Sequence, residues 1–273
     1  MLLIAASLPE SPVRVMTSVM TYNIHLESSS EQARPWDERK AMVAQVIHSR
    51  SPEILGLQGA TLGQTEWLEE KLKDYASYAP TSQSLVMGTD MCPILYSRSI
   101  YESVDEGTFL IGEAIEKTES GQASDNQMQF LNWVKLRHMA SEKELYVLNT
   151  RIDLDAGHDK FAITERLKDI ITELVDGETF MLLADMAHSP ESAIIRSISE
   201  WAKDSEENSL VSISDMEATQ PGWVKRKDHS GERVDYIFLS FDIPANSYEV
   251  LDIDHEGEYP SDHLPVYCRL RIQ

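Results

Sequence analysis

Apolar residues in this chain gather into short β-favouring runs separated by polar loops, and in a few stretches they recur at helical spacing. Met16 to His25 predicts a first inner strand, with Pro9 and Pro12 marking the linker before it. Beyond the polar Ser28-Ser29-Ser30 loop, Trp36 opens a helix in which Met42, Val43, Val46 and Ile47 share a face. Ser51-Pro52 stops it, because proline brings no amide hydrogen to the next turn. Ile54 to Leu57 predicts a short buried strand, and Trp67, Leu68 and Leu72 mark one face of a helix around Thr65 to Leu72. From Ala76 to Ile152 the pattern is mainly β, with strands at Pro93 to Tyr96, Gly107 to Ile111, Phe130 to Leu136 and Leu145 to Asn149. Between them, Glu116 to Gln127 carries no core residue and reads as a mobile loop.

The strand-helix alternation then returns, with a helix from about Lys160 to Leu174, a strand from Thr179 to Leu183 and a helix around Ser192 to Lys203. Val234 to Ser240 and Leu264 to Ile272 supply the closing strands. In the last, Val266, Cys268, Leu270 and Ile272 face one way and Tyr267, Arg269 and Arg271 the other. Strands in the middle of each half, with helices after them, imply two sheets face to face and helices outside. No repeat of fixed period and no linker divides the chain, so 16–273 reads as a single domain of α/β (α+β) class, and 1–15 as a tail or added strand.

Composition narrows the partners. With 24 basic and 46 acidic side chains the formal charge is 24 − 46 = −22, which repels nucleic acid and anionic membrane surfaces at long range. Bulk nucleic-acid binding is therefore disfavoured. Trp223-Val224-Lys225-Arg226-Lys227 is the one compact basic cluster with an aromatic beside it, and a solvated loop is its ordinary explanation. Cys92 and Cys268 form neither a disulfide framework nor a metal-binding spacing; a soluble protein of a reducing, intracellular compartment fits without being required. Met1 to Leu8 is apolar but has no positively charged leader and is short for a signal peptide, which leaves a clipped targeting segment as the alternative to a tail. No stretch is long and apolar enough to span a bilayer.

The chemistry sits in scattered fragments: Thr21-Tyr22-Asn23-Ile24-His25, Ile54-Leu55-Gly56-Leu57-Gln58, Asn149-Thr150-Arg151-Ile152-Asp153, Leu182-Leu183-Ala184-Asp185-Met186-Ala187, Val234-Asp235-Tyr236 and Ser261-Asp262-His263. In this order and spacing the chain resembles the endonuclease/exonuclease/phosphatase superfamily, from about Thr17 to its end. That superfamily includes apurinic endonucleases, pancreatic-type deoxyribonucleases, deadenylases, inositol polyphosphate phosphatases and neutral sphingomyelinases. The resemblance implies a four-layer αββα sandwich of two mostly antiparallel mixed sheets, and phosphoester hydrolysis with magnesium or manganese. Magnesium prefers oxygen ligands and keeps several waters, so each carboxylate near it matters. By resemblance His263 donates to the scissile phosphate, Asp235 holds its ring and Asp185 orients or deprotonates the water. Asn23 and Asp262 build the metal site, and Asn149, Arg151 and Asp153 meet the phosphate or substrate.

Three positions depart from the superfamily's motifs. Where a Glu should follow Leu-Gln to grip the metal, this chain has Gly59, and the next acidic residue is Glu66. Asn-Thr-His becomes Asn149-Thr150-Arg151; arginine cannot shuttle a proton near neutral pH, though it can clamp a phosphate. Gly-Asp-Phe-Asn becomes Ala184-Asp185-Met186-Ala187, which keeps the carboxylate and loses the amide. Asp90, just ahead of Pro93-Ile94-Leu95-Tyr96, reads either as a substrate contact or as a loop-solvating carboxylate. Losing an acid or base costs roughly 10² to 10⁴ in rate, and disturbing a supporting ligand costs roughly 10 to 100.

Each retained residue also has a structural reading. Asn23 could cap a strand end, Asp185 could begin a turn, Asp235 with His263 could be a buried polar pair, and Ser261-Asp262-His263 could be a solvated turn. The leading expectation is thus a catalytically impaired phosphoesterase scaffold or a pseudoenzyme with a binding or structural role and a protein partner, with magnesium or manganese called for only if it is active. The alternatives are an active magnesium-dependent hydrolase with a reduced ligand set, and a non-hydrolysing sensor of a phosphorylated small molecule.

Overall fold

A computed structural model describes residues 15–27, 34–80, 90–112, 129–152, 160–204, 218–225, 230–240, 243 and 245–272. The predicted mobile run 116–127, residues 1–14 and Asp153 lie outside these, while Val15 already belongs to the first strand. Strand β1 (Val15–Asn23) runs parallel to β2 (Ile54–Gln58) and antiparallel to the final strand β11 (Val266–Ile272). With β3 (Tyr75–Tyr78), β4 (Ile94–Ser97) and β10 (Ala245–Val250) they form a six-stranded sheet in the order β10-β11-β1-β2-β4-β3. The second sheet has five strands in sequence order: β5 (Tyr101–Gly112), β6 (Gln129–His138), β7 (Glu144–Arg151), β8 (Phe180–Asp185) and β9 (Asp235–Leu239). Among the described residues only β1 with β2 and β7 with β8 pair in parallel; the other neighbours are antiparallel.

Alternation along the strands creates the layers. Val19, Ile54, Ile94 and Val266 of the first sheet meet Val134, Val147, Leu183 and Ile237 of the second in a shared interior. Their neighbours point outward. Met20, Tyr22, Leu55 and Leu57 pack against Val43, Ile47 and Leu68 of α1 (Trp36–Arg50) and α2 (Leu62–Lys71). Leu148, Leu182 and Phe238 pack against Leu167, Ile171 and Ile198 of α3 (Lys160–Val175) and α4 (Ala193–Asp204). Fully burying one such side chain contributes about 1.5–3 kcal/mol, so the expected αββα sandwich is held from both faces of each sheet. No helix among the described residues is long and apolar enough to cross a membrane.

Elements differ from expectation where polar residues carry the signal. α2 begins at Leu62 rather than near Thr65, because Thr61 and Gln64 form a capping box that satisfies the first amides. β3 and β10 were not separately expected. β3 is half-buried throughout and β10 ends the sheet, so neither carries a strong apolar period. β5 starts at Tyr101 instead of Gly107, its exposed first half hidden behind Glu102, Asp105 and Glu106.

The sheets approach closely beneath the site. A Cβ on Gly56 would stand 2.7 Å from Leu183 Cδ1 and 3.0 Å from Asn149 Oδ1, so only glycine fits there. Asn149, expected to meet phosphate, is fully buried in this gap. Its Nδ2 donates to the carbonyls of Leu57, Cys92 and Pro93 at 2.8, 3.0 and 2.9 Å, and its Oδ1 accepts from Gln58 Nε2 at 2.6 Å. The amide is a peg between the sheets.

Candidate active site

Strand pairing brings the candidate site residues to one edge. In the second sheet Arg151, Asp185 and Asp235 are successive partners across β7, β8 and β9. In the first sheet Asn23 and Gln58 are partners at the ends of β1 and β2, with Gly59 next in the chain. The loop carrying Asp262 and His263 is tied to the same place, because Ser261 Oγ donates to the carbonyl of Asn23 at 2.7 Å. Thr219 fixes the entry to β9: its Oγ1 accepts from the amides of Val234 and Asp235, both at 3.1 Å, and its carbonyl accepts from Leu264 N at 2.7 Å.

Asp235 and His263 form a buried pair, with Asp235 Oδ2 2.9 Å from His263 Nδ1. His263 Nε2 lies 3.0 Å from Gln220 Nε2 and 3.4 Å from Asn23 Nδ2. Burial alone would lower the imidazole pKa, but Asp235 and Asp185 outweigh it and push it up to about 9. Burial also raises the Asp235 carboxyl against the pull of His263, so the pair holds its proton firmly. A neutral His263 ring accepts from Gln220; the imidazolium requires the Gln220 amide to turn its oxygen inward.

Every other carboxylate at this edge is engaged by N–H donors. Asp185 Oδ2 accepts from Asn23 Nδ2 at 2.7 Å and lies 3.4 Å from Arg151 Nε, while its Oδ1 accepts from Ala187 N at 3.0 Å. Asp90 accepts from the amides of Gly59, Ala60 and Cys92 at 2.7, 3.2 and 3.1 Å, and its Oδ2 is 3.8 Å from Arg151 Nη1. Asp262 Oδ1 meets His25 Nδ1 at 2.9 Å. Burial would raise the Asp262 pKa, yet the hydrogen bond from His25 and the charge of His263 hold it down at about 2.

Non-glycine residues in left-handed conformation cluster here: His25 at φ 59°, Cys92 at φ 40° and Ala187 at φ 47°. Gly59, at φ 59°, completes the set.

No family model matches the chain, and no curated protein does. Solved structures do. An endonuclease/exonuclease/phosphatase family protein from Bacteroides thetaiotaomicron is 19% identical with a TM-score of 0.79, over 96% of this chain and 99% of that one. A mannosyl-6-phosphatase from the same organism is 19% identical with a TM-score of 0.78, over 93% and 99%. The human Nocturnin catalytic domain, with a bound sulfate anion, is 20% identical with a TM-score of 0.70, over 94% and 96%. This chain has the endonuclease/exonuclease/phosphatase fold.

Within the endonuclease/exonuclease/phosphatase fold, the residue after β2 is where the resemblance places a metal-gripping Glu. Here a Cβ on Gly59 would stand 2.3 Å from Asn23 Oδ1 and 2.9 Å from His25 N. The side chain of Asn23, whose Oδ1 also accepts from His25 N at 2.9 Å, has closed onto the glycine. Among the described residues, one group could hold a metal ion: the ligand atoms of Asp185, Asp235 and His263 lie within 4.8 Å of one another. It suits magnesium poorly. The Asp235 and His263 atoms are bonded to each other, all three residues are buried, and magnesium keeps several waters in its shell. Within that group of three, Asp235 Oδ1 is buried with no hydrogen-bond partner among the described residues.

Two contributors had no strong signal in the sequence. Gln220 reaches His263 from a loop with no apolar period, and His25 is found only by noticing that it follows Asn23 by two places. Glu66 is exposed on α2. In the basic cluster, Trp223 packs edge-on to His25 at 4.9 Å, and Lys225 is bound by Asp252 and Asp254 at 3.0 and 2.8 Å. Arg226 and Lys227 lie outside the described residues.

Proposed function

We propose that this protein uses the endonuclease/exonuclease/phosphatase fold without efficient phosphoester hydrolysis, as a binding or structural component. The carrying observation is Gly59: the position of the main cation-gripping carboxylate is empty of side chain, and Asn23 packs where a Cβ would stand. Asp185, the carboxylate that the resemblance assigns to the attacking water, has both oxygens engaged by Asn23, Arg151 and Ala187. His263, oriented by Asp235, remains able to hold and give a proton at Nε2. An acid without a matching base or a strong cation site supports binding of a phosphate ester better than its cleavage.

Purified protein, assayed with magnesium and with manganese on p-nitrophenyl phosphate and bis(p-nitrophenyl) phosphate, should turn over at no more than trace rates. Cation-dependent turnover that disappears in His263→Ala would refute the proposal. That outcome belongs to a second reading, a live phosphoesterase, which the intact Asp235–His263 pair and the unpartnered Asp235 Oδ1 favour. The mannosyl-6-phosphatase and the 2′,3′-cyclic phosphatase ANGEL2, similar in fold, make phosphate monoesters and cyclic phosphates the ester classes to try first.

A further inference from the structure

The carboxylates at this edge sit in a protein of formal charge −22, and buried carboxylates require positive partners. Asp185 is 2% exposed and Asp90 15% exposed at the side chain. The guanidinium of Arg151, 24% exposed, reaches both: Nε is 3.4 Å from Asp185 Oδ2 and Nη1 is 3.8 Å from Asp90 Oδ2. The backbone puts it there without a loop. Arg151 and Asp185 are register partners in the parallel β7–β8 pair, so the strand that supplies the acid and the strand that supplies the base end side by side. Asp90 belongs to the other half of the sandwich, clamped onto the amides of Gly59, Ala60 and Cys92.

From this juxtaposition we infer that Arg151 is a tethered replacement for the divalent cation, neutralising Asp185 and linking it to Asp90 across the two sheets. The inference rests on the reading that the cation site is disabled, and goes beyond it by naming what took its place. Gly59 and Arg151 are then one change rather than two. Loss of the glutamate removes an anion from the cage, and a permanent single positive charge suits the charge that is left. A bound metal can dissociate and leave its carboxylates unpaired; an arginine in the adjacent strand cannot. The fold is thereby expected to be independent of divalent cations, and an Arg151 variant should acquire a dependence on them.

The test compares full-length wild type, Arg151→Gln, Arg151→Lys and the double variant Arg151→Gln with Asp185→Asn. Melting temperature is followed after chelation and after titration with manganese alone. Wild type and Arg151→Lys should not respond. Arg151→Gln should melt lower after chelation and recover by at least about 2–4 °C in saturating manganese. The double variant should lose that recovery. If Arg151→Gln does not fold after chelation, return of its native circular dichroism with manganese supports the inference and failure to return counts against it. A wild type that responds to manganese as strongly as Arg151→Gln overturns it, as does a folded Arg151→Gln that ignores the ion. Turnover on the same samples separates the two ideas. Cation-dependent hydrolysis refutes both, because it needs the very site that Arg151 is said to fill, whereas an inactive wild type that responds to manganese refutes the tethered cation alone.

Discussion

At the scale of single residues, Gly59 decides most. Its φ of 59° already favours glycine, and a Cβ there would stand 2.3 Å from Asn23 Oδ1. Restoring the glutamate is therefore more than adding a missing ligand, because Asn23 and the backbone at His25 would have to withdraw first. Gly59→Ala isolates that penalty. Strain at a left-handed position costs about 1–3 kcal/mol and overpacking about 1–3 kcal/mol, so the variant should lose about 2 kcal/mol or more of stability in urea melts. An unchanged midpoint would mean that the edge is loose and Asn23 free to move aside. The carboxylate and imidazole positions were legible in the sequence because their motifs adjoin strands, whose partners fix where a side chain ends. The hydrogen bonds that engage them were not legible. Nothing in the order of residues says that Asn149 is a peg between sheets, that Asp90 clamps three amides, or that Gln220 faces His263.

At the scale of elements, apolar periodicity located the strands buried on both faces and the four helices, while elements whose residues are half-buried or exposed were missed or shortened. One arginine on α1 shows what periodicity overlooks. Arg39 is fully buried and donates to the carbonyls of Ile24, His25, Pro260 and Arg34, with Trp36 and Trp223 on its faces at 5.0 and 5.5 Å. Burial lowers its pKa to about 10, which still leaves it charged at neutral pH. It holds α1 against both the turn after β1 and the loop before His263, so it positions the site from behind. Lysine has the charge without the planar fork that meets several carbonyls at once. Removing a partner from buried polar groups costs about 1–3 kcal/mol each. Arg39→Lys should lower the unfolding free energy by about 2–4 kcal/mol, read as a shift of the urea midpoint at constant slope. A shift within experimental scatter would show that the carbonyls find water instead and that the loops need no tie.

At the scale of the whole molecule, stability should depend on pH in a way that the site controls. His263 is raised from 6.5 to about 9, so its folded form binds a proton that the unfolded chain gives up first. Its contribution is fully present below 6.5 and is lost as pH rises through about 9. Asp262 is held down from 3.8 to about 2, so its contribution is present above 3.8 and lost as pH falls through about 2. Between those limits Asp235, raised by burial, gives up part of its contribution as pH rises above 3.8, and through the His263 range stability should fall further by an amount on the order of 3 kcal/mol. The excess negative charge adds to the alkaline loss, since deprotonating the imidazole removes a cation from a chain whose formal charge is −22 with its histidines neutral. Buried Cys268 titrates at about 12 instead of 9, so its effect starts only above the window in which His263 acts. Urea midpoints measured from about pH 6 to about pH 9 should therefore fall steadily in the wild type. His263→Gln should begin lower and stay nearly level across the same range. If that variant falls as steeply as the wild type, the slope comes from general charge repulsion and the Asp235–His263 pair does not hold its proton in the folded state.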